Sequence, residues 1–405
     1  MSGALEGIRV LDMSRVLAGP WAGQLLGDFG ADVVKVERPV VGDDTRHWGP
    51  PWLDRKNACE AAYFLSTNRN KRSITIDLTD MDGQALIQAL AKKADVLIEN
   101  YRVGTLAGYG LGAEDLLHLN PRLIYCSITA YGQRSSRASE PGYDAIIQAA
   151  AGLMSITGAP DCEGGSPQKV GVAVSDIMAG MYAATAILAA LQQRSQTGLG
   201  QHIDLSLYDS QVAWLANQAM NFLIGGETPL RRGTAHPNLV PYQAFETCDG
   251  FLILAIGNDR QFVRLTKCIG KPELATDTRF QCNSKRVEFR GPLVDILAAV
   301  FRTRSTEQWL KALGDADVPC GPINTIDEVL TGAFAEERGL VQTMVHPMHD
   351  ALPTVANPVR FSQTPVSYRL APPTLGQHTH EILTDWLDYT DQDFEKLNSQ
   401  LDSNE

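Results

Sequence analysis

Over residues 8–128, short β-branched runs alternate with longer stretches of helical character, and this alternation limits the fold more than any other feature. Residues 8–13 form a β-rich run. Residues 18–30 are rich in small and apolar side chains and suit a helix that ends at a glycine. Residues 31–37 read as the next strand. Residues 72–78 alternate β-branched and polar side chains, residues 80–93 have helical periodicity, and 95–99 and 123–128 are further strands. Strand–helix–strand repetition predicts an α/β fold with a parallel sheet covered by helices.

Further on, a glycine-rich loop over 158–174 leads into an apolar run at 177–191 that begins just after Asp176. That run is too short to span a bilayer and reads as a buried helix. A turn at Gly198-Leu199-Gly200-Gln201 precedes a strand at 203–207 and a helix at 208–224. The character changes near Gly225. Residues 1–224 are therefore expected to form the first part of a large domain, and 225–324 a smaller α+β domain. That smaller domain holds a hairpin-like piece at 249–256 and helices such as 307–313. Residues 325–405 carry several prolines and are expected to return to the large domain. The acidic tail after Tyr389 reads as a surface helix that frays.

Charge removes some function classes. The chain carries 35 Lys+Arg against 47 Asp+Glu, a net charge of −12. Such a surface repels phosphate backbones and anionic lipid, so neither nucleic acid nor a membrane is expected as a partner. A polyanionic ligand must be held by a local basic patch. The 7 cysteines are scattered and odd in number, and no CxxC pair occurs. That fits reduced thiols and a cytoplasmic location. No His or Cys cluster has zinc-ligand spacing, so no metal is expected. The N-terminus lacks the features of a secretory or transit peptide.

Val172-Ala173-Val174-Ser175-Asp176 is the segment most suggestive of chemistry. An Asp at a helix start accepts backbone N–H bonds and sits at the positive end of the helix dipole, and both effects hold it ionised. An ionised, partly buried carboxylate is a usable nucleophile toward a thioester. The plain alternative is an N-cap and nothing more. Arg38 and Arg102 follow strands, at the carboxyl ends where open α/β sheets bind ligands, and are candidates for a phosphate-bearing ligand. Lys71 and Arg72 start a strand and are weaker candidates. Ala18-Gly19-Pro20-Trp21-Ala22-Gly23 lacks the spacing of a dinucleotide fingerprint, and Pro20 removes an N–H, so an NAD site is rejected.

Taken together, the motifs resemble those of class III CoA-transferases, the CaiB/BaiF family, from end to end. They include Leu5-x-Gly7-Ile8-x-Val10-Leu11-Asp12, Ala18-Gly19-Pro20, Gly30-Ala31-Asp32-Val33-x-Lys35-Val36-Glu37 and Asn70-Lys71-Arg72-Ser73-Ile74. Glu99-Asn100-Tyr101, Gly198-x-Gly200-Gln201, Cys320-Gly321-Pro322-Ile323 and Leu375-Gly376-Gln377-His378-Thr379 complete them. The resemblance implies a large Rossmann-like domain, a small domain and an interlocked homodimer. It implies a nucleophilic Asp after a Gly-x-x-x-x-Asp run, here Gly171 to Asp176. It implies coenzyme A contacts at Val16, Leu17, Ala18, Arg38, Ile76, Asp77, Leu78, Thr79, Asn100, Tyr101, Arg102, Tyr143 and Asp144.

Within the family, Asn221 to Gly225, Arg232-Gly233-Thr234-Ala235-His236 and Val240-Pro241-Tyr242-Gln243-Ala244-Phe245 look most like the succinate/glutarate branch. That implies succinyl-CoA as donor and small dicarboxylic acids as acceptors. A free second carboxylate needs a cation, which makes Arg232 and His236 substrate candidates, with Arg15 and Tyr242 as helpers. Leu17 stands where formyl-CoA transferase has a glutamine, and no glycine-rich flap is found, which argues against formyl-CoA and oxalate. Racemases of 2-methylacyl-CoA share the fold but carry a His where this chain has Gly142-Tyr143-Asp144, and a tyrosine is a poor base near neutral pH. A non-catalytic CoA-binding protein is the alternative from another class, and the presence of Asp176 weighs against it.

Overall fold

The computed structural model describes residues 3–54, 59–390 and 392–393, so the acidic tail beyond 393 lies outside the described residues. The chain divides into two compact units. The first comprises Met1–Leu153, Val170–Ile224 and Ala335–Glu405, and the second Met154–Lys169 and Gly225–Phe334.

The first unit is built on a parallel sheet. Its strands are β1 (Arg9–Asp12), β2 (Asp32–Glu37), β3 (Lys71–Thr75), β4 (Val96–Glu99), β5 (Ile124–Thr129) and β6 (Gln201–Ser206). Their order across the sheet is β3-β2-β1-β4-β5-β6. The chain leaves β1 in one direction and resumes at β4 in the other, so a crevice opens beyond the carboxyl ends of these two strands. Alternate residues of each strand feed two cores, as the pleat requires. Val10, Val33, Val96, Ile98, Ile124 and Cys126 pack on one face, and Leu11, Val34, Ile74, Leu97 and Tyr125 on the other.

Helices cover both faces. Helix α1 (Ala18–Asp28) lies on the first face, and α2 (Met81–Lys93) on the second. Helix α3 (Asp144–Ala150) precedes α4 (Val174–Thr197), which crosses α1 closely. At that crossing a Cβ on Gly180 would fall 2.6 Å from the Ala18 carbonyl oxygen, so only glycine fits. Polar residues extend α4 past the apolar run at both ends, so its 24 residues are long enough to cross a membrane, contrary to the sequence expectation. Half of its most apolar stretch is buried, and Ala179, Ala183, Ile187 and Ala190 lie in the core. The single helix expected at 208–224 is two, α5 (Leu207–Ala213) and α6 (Ala216–Gly225). Ala216, at φ +46°, makes the break.

The second unit centres on an antiparallel sheet of β7 (Tyr242–Glu246), β8 (Phe251–Ala255) and β9 (Cys320–Pro322), with β8 in the middle. Around it lie α7 (Asp259–Cys268), α8 (Arg290–Phe301) and α9 (Thr306–Asp315), over a core that includes Phe262, Phe301 and Trp309. Residues 154–169 join this unit through the Gly233 N–H to the Gly158 carbonyl at 3.0 Å and through an Arg231–Asp161 ion pair. The sequence placed the return to the first unit at residue 325, whereas the second unit runs on to Phe334. After it, β10 (Val341–His346) and β11 (His349–Val355) form a hairpin, and α10 (Thr379–Leu387) ends the described fold.

Candidate active site

The turn after β1 and the loop after β4 frame a cavity of about 210 Å3. They are locked together by Asn100, whose side chain accepts the Arg15 N–H at 2.8 Å and donates to the Arg15 carbonyl at 2.7 Å. The next residue, Val16, has φ +70°. That is a costly conformation for a β-branched side chain, and such strain gathers at functional sites. Its N–H faces both oxygens of Asp43 at 3.3 Å. Asp43 is fully buried and paired with Lys35 at 2.9 Å. Burial alone would raise its pKa, but Lys35 and the bonds from Thr45 outweigh that and hold it at about 2.

Arg15, Val16, Leu17, Ala18, Asn100, Tyr101, Arg102 and Tyr143 all line this cavity with Asp176, so nine sequence candidates converge. Asp44, unforeseen, also lines it. One of its oxygens lies 3.2 Å from Arg15 Nη1 and the other 2.6 Å from Arg38 Nη2, so it gathers two cations at the rim. Arg15 also stacks 5.2 Å over the Tyr101 ring. Arg102 is exposed and has no acidic partner among the described residues. An exposed guanidinium at a strand's carboxyl end suits a phosphate.

Asp176 is not the N-cap. Ala173 holds that position without a side-chain bond, and Asp176 is the third residue of α4. Capping comes from the neighbouring helix, where Asp144 accepts the Ser175 N–H at 2.8 Å and the Gln148 side chain at 2.7 Å. The Asp176 carboxylate is 9% exposed, and no protein group hydrogen-bonds it among the described residues. Burial first, and the like charge of Asp144 second, push its pKa up to about 7. This reverses the expectation that helix-start bonds keep it strongly ionised. Tyr63, on the short helix Ala62–Leu65, is a second residue the sequence did not single out. Burial, then Asp176 and Asp144, push its phenol up to about 12.

Other candidates lie elsewhere. Lys71 is fully buried, and its ammonium donates to Asp12, the Pro20 carbonyl and Asn68 at 2.8–3.0 Å. Gly23 leaves room for this pair, since a Cβ there would sit 2.7 Å from the Asp12 carboxylate. Arg72 is buried and bonds Asp32, Glu381 and Asp385, fastening α10 to β3. Neither is free to meet a phosphate, which corrects that expectation. Ile76 and Leu78 belong to the core, and Asp77 caps Thr79 at 2.8 Å.

In the second unit, the His236 ring lies 5.2 Å from that of Tyr242, and His236 Nδ1 accepts the N–H groups of Asn238 and Leu239 at 3.0 and 3.1 Å. Arg232 is exposed and has no acidic partner among the described residues. No group of three or more His, Cys, Asp or Glu able to hold a metal occurs among the described residues.

The sequence profile of CoA-transferase family III matches residues 5–379. The chain belongs to that family. It is 48% identical over 383 residues to a succinate–glutarate CoA-transferase of Agrobacterium fabrum, covering 94% of this chain and 95% of the relative. It is 46% identical over 393 residues to a succinyl-CoA:glutarate CoA-transferase of Mus musculus, covering 97% and 88%. A crystal structure of a CaiB/BaiF family protein from Brucella suis superposes with a TM-score of 0.84 at 44% identity, over 95% of this chain and 100% of that one. The crevice at β1 and β4 carries both the exposed Arg102 and the buried Asp176.

Proposed function

We propose that this CoA-transferase moves CoA from succinyl-CoA to a second small dicarboxylic acid, with Asp176 as the nucleophile. The observation that carries this reading is a buried carboxylate, free of protein hydrogen bonds, in the cavity at the crevice. Asp176 attacks the thioester carbonyl, giving a mixed anhydride and releasing the CoA thiolate. The thiolate attacks the aspartyl carbonyl, releasing the first acid and leaving an aspartyl-CoA thioester. The acceptor carboxylate then takes the same steps in reverse. Two acyl transfers replace one difficult exchange. A carboxyl pKa near 7 makes the anion more basic than an ordinary aspartate, and ionisation remains available above neutrality. The test is CoA transfer from succinyl-CoA to a panel of acids. Glutarate and similar diacids are expected to exceed acetate-like acids by about tenfold or more in kcat/KM, and equal use of both overturns the dicarboxylate reading.

The acid limb of the pH profile is a second check. The nucleophile is active only as the anion, so kcat/KM falls below an apparent pKa of about 7. Asp144→Asn removes a like charge and should move that limb to lower pH. The move is partial, because burial is the larger cause. A limb that stays in place shows that Asp144 does not act on Asp176.

Arg232, with His236, Arg15 and Tyr242, is proposed to recognise the diacid. Arg232→Ala should raise the KM for the diacid by roughly one to two orders of magnitude through loss of a charge-assisted bond. It should leave a monocarboxylate nearly untouched. Equal losses for both acceptors mark the arginine as structural.

The same reading takes the enzyme as a cytoplasmic, interlocked homodimer with reduced thiols. Exposed apolar side chains on α4–α6, among them Met181, Tyr182, Trp214, Met220, Phe222 and Leu223, support a partner there. Sedimentation showing an active monomer refutes it.

A further inference from the structure

Asp44 opens the short turn Asp44–His47 that follows β2, and the sequence did not single it out. Its carboxylate is shared between two guanidiniums, with Arg15 Nη1 on one oxygen at 3.2 Å and Arg38 Nη2 on the other at 2.6 Å. The three side chains are between 33% and 46% exposed, and ion pairs so exposed add little to stability. Their place calls for another account. The backbone on either side is fixed. Asp43, buried against Lys35, accepts the Thr45 N–H at 3.0 Å, and Asn100 bonds both backbone groups of Arg15. The Arg15 guanidinium then has two supports, the Asp44 carboxylate and the Tyr101 ring at 5.2 Å.

Arg15, Asp44 and Asp176 line one cavity. An arginine on the wall of a cavity that holds a buried, unpaired carboxylate is drawn to it, and the attraction grows where water is excluded. Yet no protein group hydrogen-bonds Asp176 among the described residues. Its pKa is raised by burial and then by Asp144, with no cation among the causes, whereas a guanidinium within about 4–6 Å would draw it down. The remaining ionisable groups do not hold Arg15 away. Tyr63 and Asp144 face Asp176 from neighbouring helices. Across the cavity, Glu140 is paired with Arg137 at 2.8 Å, and Arg102 and the phenols of Tyr101 and Tyr143 offer no anion at neutral pH. An Arg15–Asp176 pair would also spoil the chemistry above. The nucleophile would have to leave its partner before attacking, and it would be a weaker base.

We propose that Asp44 is a positioning residue that tethers Arg15 and so keeps its guanidinium off the Asp176 nucleophile. This rests on the reading of Asp176 as the nucleophile. Arg38 holds the second oxygen of Asp44, so the tether does not swing with Arg15.

The test reads the acid limb of kcat/KM for transfer from succinyl-CoA to glutarate, expected at about 7 in the wild-type enzyme. Asp44→Ala releases Arg15 to pair with Asp176. The limb should move to lower pH by about one unit or more, and kcat/KM at pH 8 should fall roughly tenfold or more. Asp44→Glu restores a carboxylate and should keep the limb in its wild-type place. Asp44→Asn keeps an acceptor without the charge and should move the limb part of the way. It carries the test, alone and with Arg15→Gln, if the Ala variant does not fold. The decisive variant is Arg15→Gln/Asp44→Ala, which has no guanidinium to release and should return the limb to its wild-type place. Arg15 is itself proposed to meet the substrate, so this variant is read by where its limb lies and not by the height of its activity. A limb that stays in place in Asp44→Ala marks Asp44 as structural and overturns the inference. A limb that stays displaced in the double variant also overturns it, by showing a direct effect of the Asp44 charge. Full activity in Asp176→Asn instead fails the reading beneath it, and that control tells the two failures apart.

Discussion

Asp176→Asn will lower kcat/KM for CoA transfer by at least about a thousandfold while leaving CoA affinity within several-fold of the wild type. The amide keeps the shape of the side chain and cannot attack a thioester. Wild-type enzyme incubated with acyl-CoA and hydroxylamine will carry the label on this residue, and the variant will carry none. Thermal stability moves the other way. The wild-type carboxyl has a folded pKa of about 7 against about 3.9 in an unfolded chain, so the folded state binds the extra proton between those values. Stability therefore falls as pH rises from about 4 to about 7, by an amount on the order of a few kcal/mol. Asp176→Asn lacks that loss. Its melting temperature should exceed that of the wild type at pH 8, and the gap should close toward pH 5. Full transfer activity in the variant removes Asp176 from the mechanism. A gap that does not change with pH removes the buried, unpaired carboxyl as its cause.

The parallel sheet was legible because its strands are short β-branched runs set between helical ones. β2 was expected at 31–37 and lies at Asp32–Glu37. Among the residues that line the cavity, Arg102 was legible from its place after a strand, whereas Val16, Leu17, Ala18, Asn100, Tyr101 and Tyr143 came from the family resemblance alone. What the sequence hides is pairing between distant residues. Lys71 and Arg72 read as free cations, yet Asp12 lies 59 residues from Lys71, and Glu381 lies 309 residues from Arg72. Nothing local marks those partners. The helix start near Asp176 was legible, but the carboxyl's environment was misread, because the cap comes from Asp144 on another helix and not from the Asp176 side chain. The break between α5 and α6 carries no Gly or Pro, so periodicity alone ran through it.

Lys35→Met is expected to cost about 3–5 kcal/mol in urea denaturation, the usual result of removing one partner from a buried ion pair. Lys35 and Asp43 are both fully buried, 2.9 Å apart. Burial by itself would lower the lysine pKa, but Asp43, Asp12 and Glu37 outweigh it and raise it. Methionine fills the space and leaves Asp43 as an unpaired buried anion beneath the wall of the cavity. The sign of the pH dependence follows. In the wild type Asp43 titrates at about 2, below its unfolded value of about 3.9, so its stabilisation is present above about pH 4 and lost as pH falls through 2. Without Lys35 its folded pKa rises above the unfolded one. The deficit is then largest near neutrality and shrinks as pH falls below about 4, where protonation removes the charge. Adding Asp43→Asn should recover part of the loss at pH 7, because the amide oxygen still accepts the Thr45 N–H that Asp43 accepts at 3.0 Å. The double variant should also regain more transfer activity than Lys35→Met alone, since the same carboxylate faces the Val16 N–H at the cavity wall. A deficit under about 1 kcal/mol, or one that grows as pH falls, shows that this pair does not hold the turn after β1.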